Sequence, residues 1–252
     1  MPLMRGACLQ ENNLESDLGV NRVASVADRM SVWLSRHWLA VINVMLAVYI
    51  GLPFLAPTLE KSGHPFPAQI IYTVYRALCH ELPQRSYFLY GEKPAYTLQE
   101  LADRVGENNL PLYPWPSPFN GNEQVGYKVA LCQRDLAIYG TLLLSGLVFS
   151  LVRSRARPLP FWAYVLIGII PMGFDGGSQF VSYVLPALMP SIGIVPREST
   201  WVLRTITGAA FGWATAWLAF PHMQAAFAEI AENSMARLAP PQRVKTLTDR
   251  RD

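Results

Sequence analysis

Four stretches of the chain, 38–59, 136–152, 161–189 and 201–221, are apolar, and the only Asp, Glu, Lys or Arg residues within them are Asp175 and Arg204. Runs of roughly 20 such residues match the hydrocarbon thickness of a bilayer when coiled as α-helix. Water cannot hydrogen-bond to the backbone in that layer, so a spanning segment must satisfy its own N–H and C=O groups, which a helix does locally. The expected fold is all-α, a polytopic membrane helix bundle with four transmembrane helices. Hydrophobic residues make up 51% of the chain and charged residues 15%, against about 25% charged in ordinary soluble domains. The lipid bilayer is the first partner this composition implies.

The basic residues set the expected orientation. Arg5, Arg22, Arg29 and Arg36 precede the first span, Arg153, Arg155 and Arg157 fill the loop 153–160, and Arg237, Arg243, Lys245, Arg250 and Arg251 follow the last span. The short loop 190–200 carries only Arg197. Four spans place the three basic regions on one side, which the positive-inside rule makes cytoplasmic, with both termini there. Segment 60–134 then lies outside. The organisation expected is a cytoplasmic tail over 1–37, partly disordered over 1–30, a membrane domain over 38–221, and an amphipathic helix with a basic tail over 222–252. No N-terminal secretory signal is expected, because 1–35 is polar. The net charge of +3 is too dispersed for a nucleic-acid-binding face, so no nucleic acid partner is expected.

Within the outer segment, Ile70, Val74, Ala77 and Leu78 recur near helical spacing between Pro67 and Pro83. That pattern predicts an amphipathic interfacial or re-entrant helix over 69–82, too short and too polar for a fifth span. A short helix is expected over 98–105. Pro111, Pro114, Pro116 and Pro118, interleaved with Trp115 and Phe119, predict an extracytoplasmic loop without regular structure, lying on the membrane surface.

The third span is interrupted by Pro171-Met172-Gly173-Phe174-Asp175-Gly176-Gly177-Ser178-Gln179. A carboxylate among glycines at membrane depth predicts a broken helix around a buried polar site. Asp175 is the candidate catalytic residue, as a proton relay or general base, with Ser178 and Gln179 as ligand-binding neighbours. The structural alternative is a permanent ion pair, with Arg204 the foremost partner and Arg85 and Arg134 further ones. Gly208 and Gly212, four residues apart, permit close helix approach.

Two outer stretches add soft and hard donors: Cys79-His80-Glu81-Leu82-Pro83-Gln84-Arg85-Ser86 and Cys132-Gln133-Arg134-Asp135. Cys79, His80, Cys132 and Asp135 are candidate ligands for a zinc-like divalent ion. Adjacent helical residues point about 100° apart, so Cys79 and His80 reach one ion only if the helix ends there. A Cys79–Cys132 disulfide is the alternative, since the outer side is oxidising. No nucleophile elbow, phosphate loop, dinucleotide fingerprint or zincin helix is present, which removes the common enzyme classes.

In order along the chain, Cys79-His80-x-x-Pro83-x-Arg85-Ser86, Cys132-x-Arg134-Asp135-x-x-Ile138-Tyr139-x-Gly140, Asp175-Gly176-x-x-Gln179, and Arg197-Glu198-Ser199-Thr200 with Arg204 and Thr207-Gly208 resemble the DUF2085 family of predicted bacterial membrane proteins. The resemblance covers roughly residues 70–215 and implies the inner (cytoplasmic) membrane of a bacterium. The second family motif usually carries two cysteines, which implies a metal-binding or redox-active set; here Asp135 stands in place of one of them, and Ala137 in place of a common glycine. A polar site facing outward, lined by Cys79, His80, Arg85, Cys132, Arg134, Asp135, Asp175, Gln179 and Arg204, is expected to bind a metal or a small ligand. The alternatives are an accessory or scaffolding role in a larger membrane complex, with other subunits as partners, and a component of a transport path.

Overall fold

The computed structural model describes residues 3–79, 82–106, 110, 118–189 and 196–239, with side chains from residue 25 onward except that of Ala187. His80, the prolines 111–116 with Trp115, and the basic end beyond residue 239 lie outside the described residues. The chain divides into two units: Met1–Ala40 with His222–Asp252, and Val41–Pro221.

The architecture is mostly helical. Helix α1 runs Leu3–Lys61, α2 Pro65–Arg76, α3 Leu98–Val105, α4 Gln133–Val152 and α8 Trp201–Leu238. Between α4 and α8 the chain stays helical over 161–188, as α5 (Phe161–Tyr164), α6 (Ile170–Met172) and α7 (Ser178–Leu188) joined by two π-helical turns, Val165–Ile169 and Gly173–Gly177. Among the described residues two helices are long and apolar enough to cross a membrane, Ser25–Lys61 and Gln133–Val152. In α8 the tryptophans 201, 213 and 217 and the threonines 205, 207 and 215 dilute the apolar character.

Three expectations are corrected. The third apolar stretch does not unwind at Asp175: the glycines widen the helix into a π turn, which keeps the backbone bonded while rotating the side chains that follow. The tail expected to be disordered continues α1 back to Leu3, no proline intervening before Pro53. And the fold is not all-α. Strands β1 (Ser86–Leu89), β2 (Gly121–Asn122) and β3 (Gly126–Cys132) form an antiparallel sheet in the order β1-β3-β2.

That sheet positions the site. Ser86 pairs with Cys132, Phe88 with Lys128 and Leu89 with Tyr127, so the segments on either side of residues 86 and 132 are drawn together. Gly126 holds φ +80°, and a Cβ there would sit 2.3 Å from the Leu89 carbonyl oxygen, which only glycine avoids. Phe88, Tyr96, Leu101, Val105, Leu110 and Val125 make one apolar core. Thr97 caps α3 through the Glu100 N–H, and Glu100 returns a bond to the Thr97 N–H. In a second core, Tyr72, Tyr75 and Cys79 pack with Ala56, Ala130 and Leu131. The Tyr72 hydroxyl donates to the Lys128 carbonyl at 2.6 Å, which locks α2 to β3.

The helices of this unit are arranged polar side in. Asp175, Gln179, Arg204, Thr207, Gln133 and Ser145 are buried, while Leu144, Leu151, Phe161, Trp162, Phe174, Phe180 and Ile206 are exposed. In water this distribution would be untenable; in hydrocarbon it is the favourable one. Helices α4 and α8 approach closely where Gly212 faces α4: a Cβ on Gly212 would lie 2.3 Å from the Ile138 carbonyl oxygen. In the other unit, Trp38 stacks on Phe227 with ring centroids 5.4 Å apart, and Arg237 pairs with Asp28 at 2.8 Å.

Candidate functional site

Asp175 is enclosed by donors. Its Oδ2 accepts from Arg134 at 2.5 Å, and its Oδ1 accepts from the Ser199 hydroxyl at 2.6 Å and from Arg197 at 3.3 Å. Arg197 also donates to the Asp175 carbonyl oxygen at 3.2 Å and to the Ser178 hydroxyl at 2.6 Å. Arg204, expected as the foremost partner of Asp175, instead pairs with Glu198. Both oxygens of Asp175 are already taken, by Arg134, Arg197 and Ser199, and Glu198, six residues before Arg204, supplies the acceptor for it.

Glu198 is the second hub. It accepts from Arg85 at 2.6 Å, from Gln179 at 2.7 Å, and from the Tyr183 hydroxyl and Arg204. Burial works to raise the Glu198 carboxyl, but the hydrogen bonds from Arg85 and Tyr183 outweigh it and hold the group below its ordinary range. Arg204 reaches further, to the Gln133 side chain at 3.3 Å and the Gln84 carbonyl at 3.2 Å, and Gln133 ties back to the Ser86 carbonyl at 2.9 Å. The predicted site residues fall into two adjoining networks: Arg134 bonds to Asp175 and Ser178 joins it through Arg197, while Arg85, Gln179 and Arg204 bond to Glu198. The second centre, Glu198, was missed as a site residue, although it stands beside Arg197 in the motif Arg197-Glu198-Ser199-Thr200.

The thiols lie next to this network. The donor atoms of Cys79, Cys132 and Asp135 are all within 4.8 Å of one another. Cys79 is buried and Cys132 half-buried, with no disulfide between them among the described residues; the neighbouring Cys79 thiol, together with burial, holds the Cys132 thiol well above its usual value. Cys132 also caps α4, its sulfur accepting from the Asp135 N–H at 3.5 Å. His80 lies outside the described residues. A cavity of about 330 Å³ joins the two groups, lined by Leu78, Cys79, Leu82, Arg85, Cys132, Arg134, Asp135, Gln179 and Arg204. Asp175 and Ser178 stand behind this wall. Tyr139 of α4 packs edge-on against Tyr49 with centroids 4.8 Å apart.

Apolar helix surfaces around buried charged and polar side chains define the class as a membrane protein. Residues 124–218 match the family model DUF2085, described as a predicted membrane protein. The family identified from the motif series is therefore the one whose model matches, and the match includes Cys132, Arg134, Asp135, Asp175, Gln179, Glu198 and Arg204. The chain is also similar to the uncharacterized protein MJ1492 of Methanocaldococcus jannaschii, 24% identical over 194 residues that cover 75% of this chain and 93% of the relative. No solved structure matches the chain.

Proposed function

We propose that the chain is a four-span protein of the cytoplasmic membrane that binds a zinc-class divalent ion on Cys79, Cys132 and Asp135, beside an arginine-lined cavity open to a small ligand. The observation that carries this is the convergence of two sulfurs and one carboxylate within 4.8 Å. Such a set suits zinc, which accepts thiolate and carboxylate ligands together, and three protein donors leave a fourth position for water, ligand or another side chain. His80 follows Cys79 directly and is the fourth donor the sequence offers. A bound ion would polarise an oxygen ligand or acidify water at that position. Arg134 and Arg204 border the same space. With both carboxylate oxygens engaged by Arg134, Arg197 and Ser199, Asp175 acts by holding Arg134 at the cavity.

The supporting measurement is metal analysis of purified protein in detergent, paired with thiol counts before and after reduction. The expected result is about one ion per chain, lost on Cys79→Ser or Cys132→Ser. Absence of metal in protein prepared without chelator, with two thiols appearing only after reduction, would replace the metal site by a Cys79–Cys132 disulfide. The proximity of the two sulfurs, within 4.8 Å of each other, supports that second reading.

A further inference from the structure

Two cavities meet at one side chain. Arg204 lines the cavity of about 330 Å³ that holds Cys79 and Cys132, and it also lines a second cavity of about 570 Å³; among the described residues no other lines both. The larger cavity lies between the start of α8 and the loop that leads into α3. Lys93, Thr97, Glu198 and Thr200 stand on its walls, and all four are exposed. The thiol cavity has a different mouth. Leu78 is the one exposed residue described on its wall, at 59%, and it continues the apolar stripe of Phe66, Ile70 and Val74. A hydrated ion does not enter from an apolar, lipid-facing surface, because shedding its water there costs more than any contact on that surface returns.

The partition between the cavities hangs on Glu198. Arg85, Gln179 and Arg204 belong to the wall of the thiol cavity, and all three donate to this one carboxylate on the wall of the larger cavity. The Glu198 side chain is 34% exposed and that of Arg204 only 4%, so the acceptor sits at the open side of the partition and the guanidinium inside it. Arg204 is otherwise held by the Gln84 carbonyl at 3.2 Å and the Gln133 side chain at 3.3 Å, both at the long limit for an N–H donor. A side chain secured mainly by one exposed acceptor can turn aside without movement of the backbone.

We propose that the larger cavity is the vestibule of the thiol site, and that Arg204, latched by Glu198, is the gate through which a hydrated divalent cation enters. Glu100 and Glu198 both line the vestibule. A cation drawn to Glu198 competes with Arg204 for the carboxylate and repels the guanidinium, so arrival and opening are one event. The Asp135 carboxylate, and the thiolates that form as the ion binds, supply the charge that draws it onward. The identity of the cargo rests on the metal reading; the gate is tested without it, by thiol access in metal-free protein.

The experiment uses the full chain with Cys8→Ser, in nanodiscs, reduced and treated with EDTA. Cys79 and Cys132 are reacted with a trimethylammonium-ethyl methanethiosulfonate, a hydrophilic cation, and in parallel with N-ethylmaleimide, which partitions into lipid. The ratio of the two rates cancels changes in thiol acidity, which act on both. Arg204→Ala is expected to raise that ratio about tenfold or more by opening the gate, and Val202→Trp, which narrows the vestibule, to abolish the gain. Leu78→Trp is expected to slow the maleimide and leave the cation unchanged. Should Arg204→Ala not fold, Val202→Trp in the parent carries the test: Val202 lines the vestibule and is 43% exposed, and the ratio is expected to fall. Three results overturn the gate: a ratio indifferent to Arg204→Ala, one indifferent to Val202→Trp, or a cation slowed by Leu78→Trp, which would put the entrance on the apolar side. Zinc that fails to protect the thiols from either reagent would overturn the metal reading and leave the gate standing.

Discussion

At the scale of single residues, two carboxylates divide the arginines between them. Asp175 is 3% exposed and holds Arg134 and Arg197; Glu198 holds Arg85 and Arg204. Removing one partner of a buried pair strands the other charge, at a cost of about 3–5 kcal/mol. Asp175→Asn is therefore expected to lower thermal stability by an amount in that range, measured by unfolding in detergent, with an unchanged melting curve as the contrary result. Glu198 gives a pH dependence. Its carboxyl lies below the ordinary range because Arg85 and Tyr183 overcome the effect of burial. A group with a lowered folded value stabilises above its unfolded value, about pH 4.3, and loses that contribution as pH falls below it. The melting temperature is expected to drop as pH falls from neutral through that range, and Glu198→Gln to flatten the drop. A variant as acid-sensitive as the parent would remove Glu198 from this role. Asp175 was legible in the sequence because a charge inside an apolar stretch stands out. Its pairing was not, because Arg134, Arg197 and Arg204 are equivalent until the helices are placed.

At the scale of elements, a small sheet turns two separate motifs into one site. The β1–β3 pairing sets Ser86 opposite Cys132, and Arg85 and Arg134 flank that pair. The strands escaped sequence reading because β1 is four residues long and β3 is buried at most of its positions, which removes the alternation that marks a half-buried strand. Helix α3 was legible, since its cap and amphipathic pattern lie within its own residues. Gly208 and Gly212 were legible as small residues, but only the structure assigns them to the α4–α8 contact within one chain. Gly212→Ala places a Cβ against the Ile138 carbonyl and Thr141 oxygen at 2.3 Å each, and is expected to cost about 1–3 kcal/mol of stability by overpacking. Full retention of the melting temperature would contradict that contact. On α2 and the turn after it, Phe66, Ile70, Val74 and Leu78 form an exposed apolar stripe, while Tyr72 and Tyr75 are buried. A spin label at Ile70→Cys is expected to be more accessible to oxygen than to a water-soluble nickel chelate, as at a lipid interface; the reverse order would place α2 in water.

At the scale of the whole molecule, the membrane reading rests on polar groups inside and apolar groups outside, a distribution that apolar stretches and basic loops foreshadow but do not by themselves establish. Two helices meet the length and hydropathy of a span; the run 161–188 is divided into short helices by its two π-helical turns, and the tryptophans and threonines of α8 dilute its apolar character. These two stretches also carry the buried Asp175 and Arg204. The central claim is that Cys79 and Cys132, far apart in sequence, meet in one cavity as ligands of an ion. Crosslinking of the purified protein with dibromobimane, before and after addition of zinc, tests it most directly. A fluorescent intramolecular crosslink in metal-free protein, absent in Cys79→Ser and suppressed by zinc, is the predicted result. No crosslink in either state would contradict the meeting of the two cysteines, and a crosslink indifferent to zinc would contradict the ion.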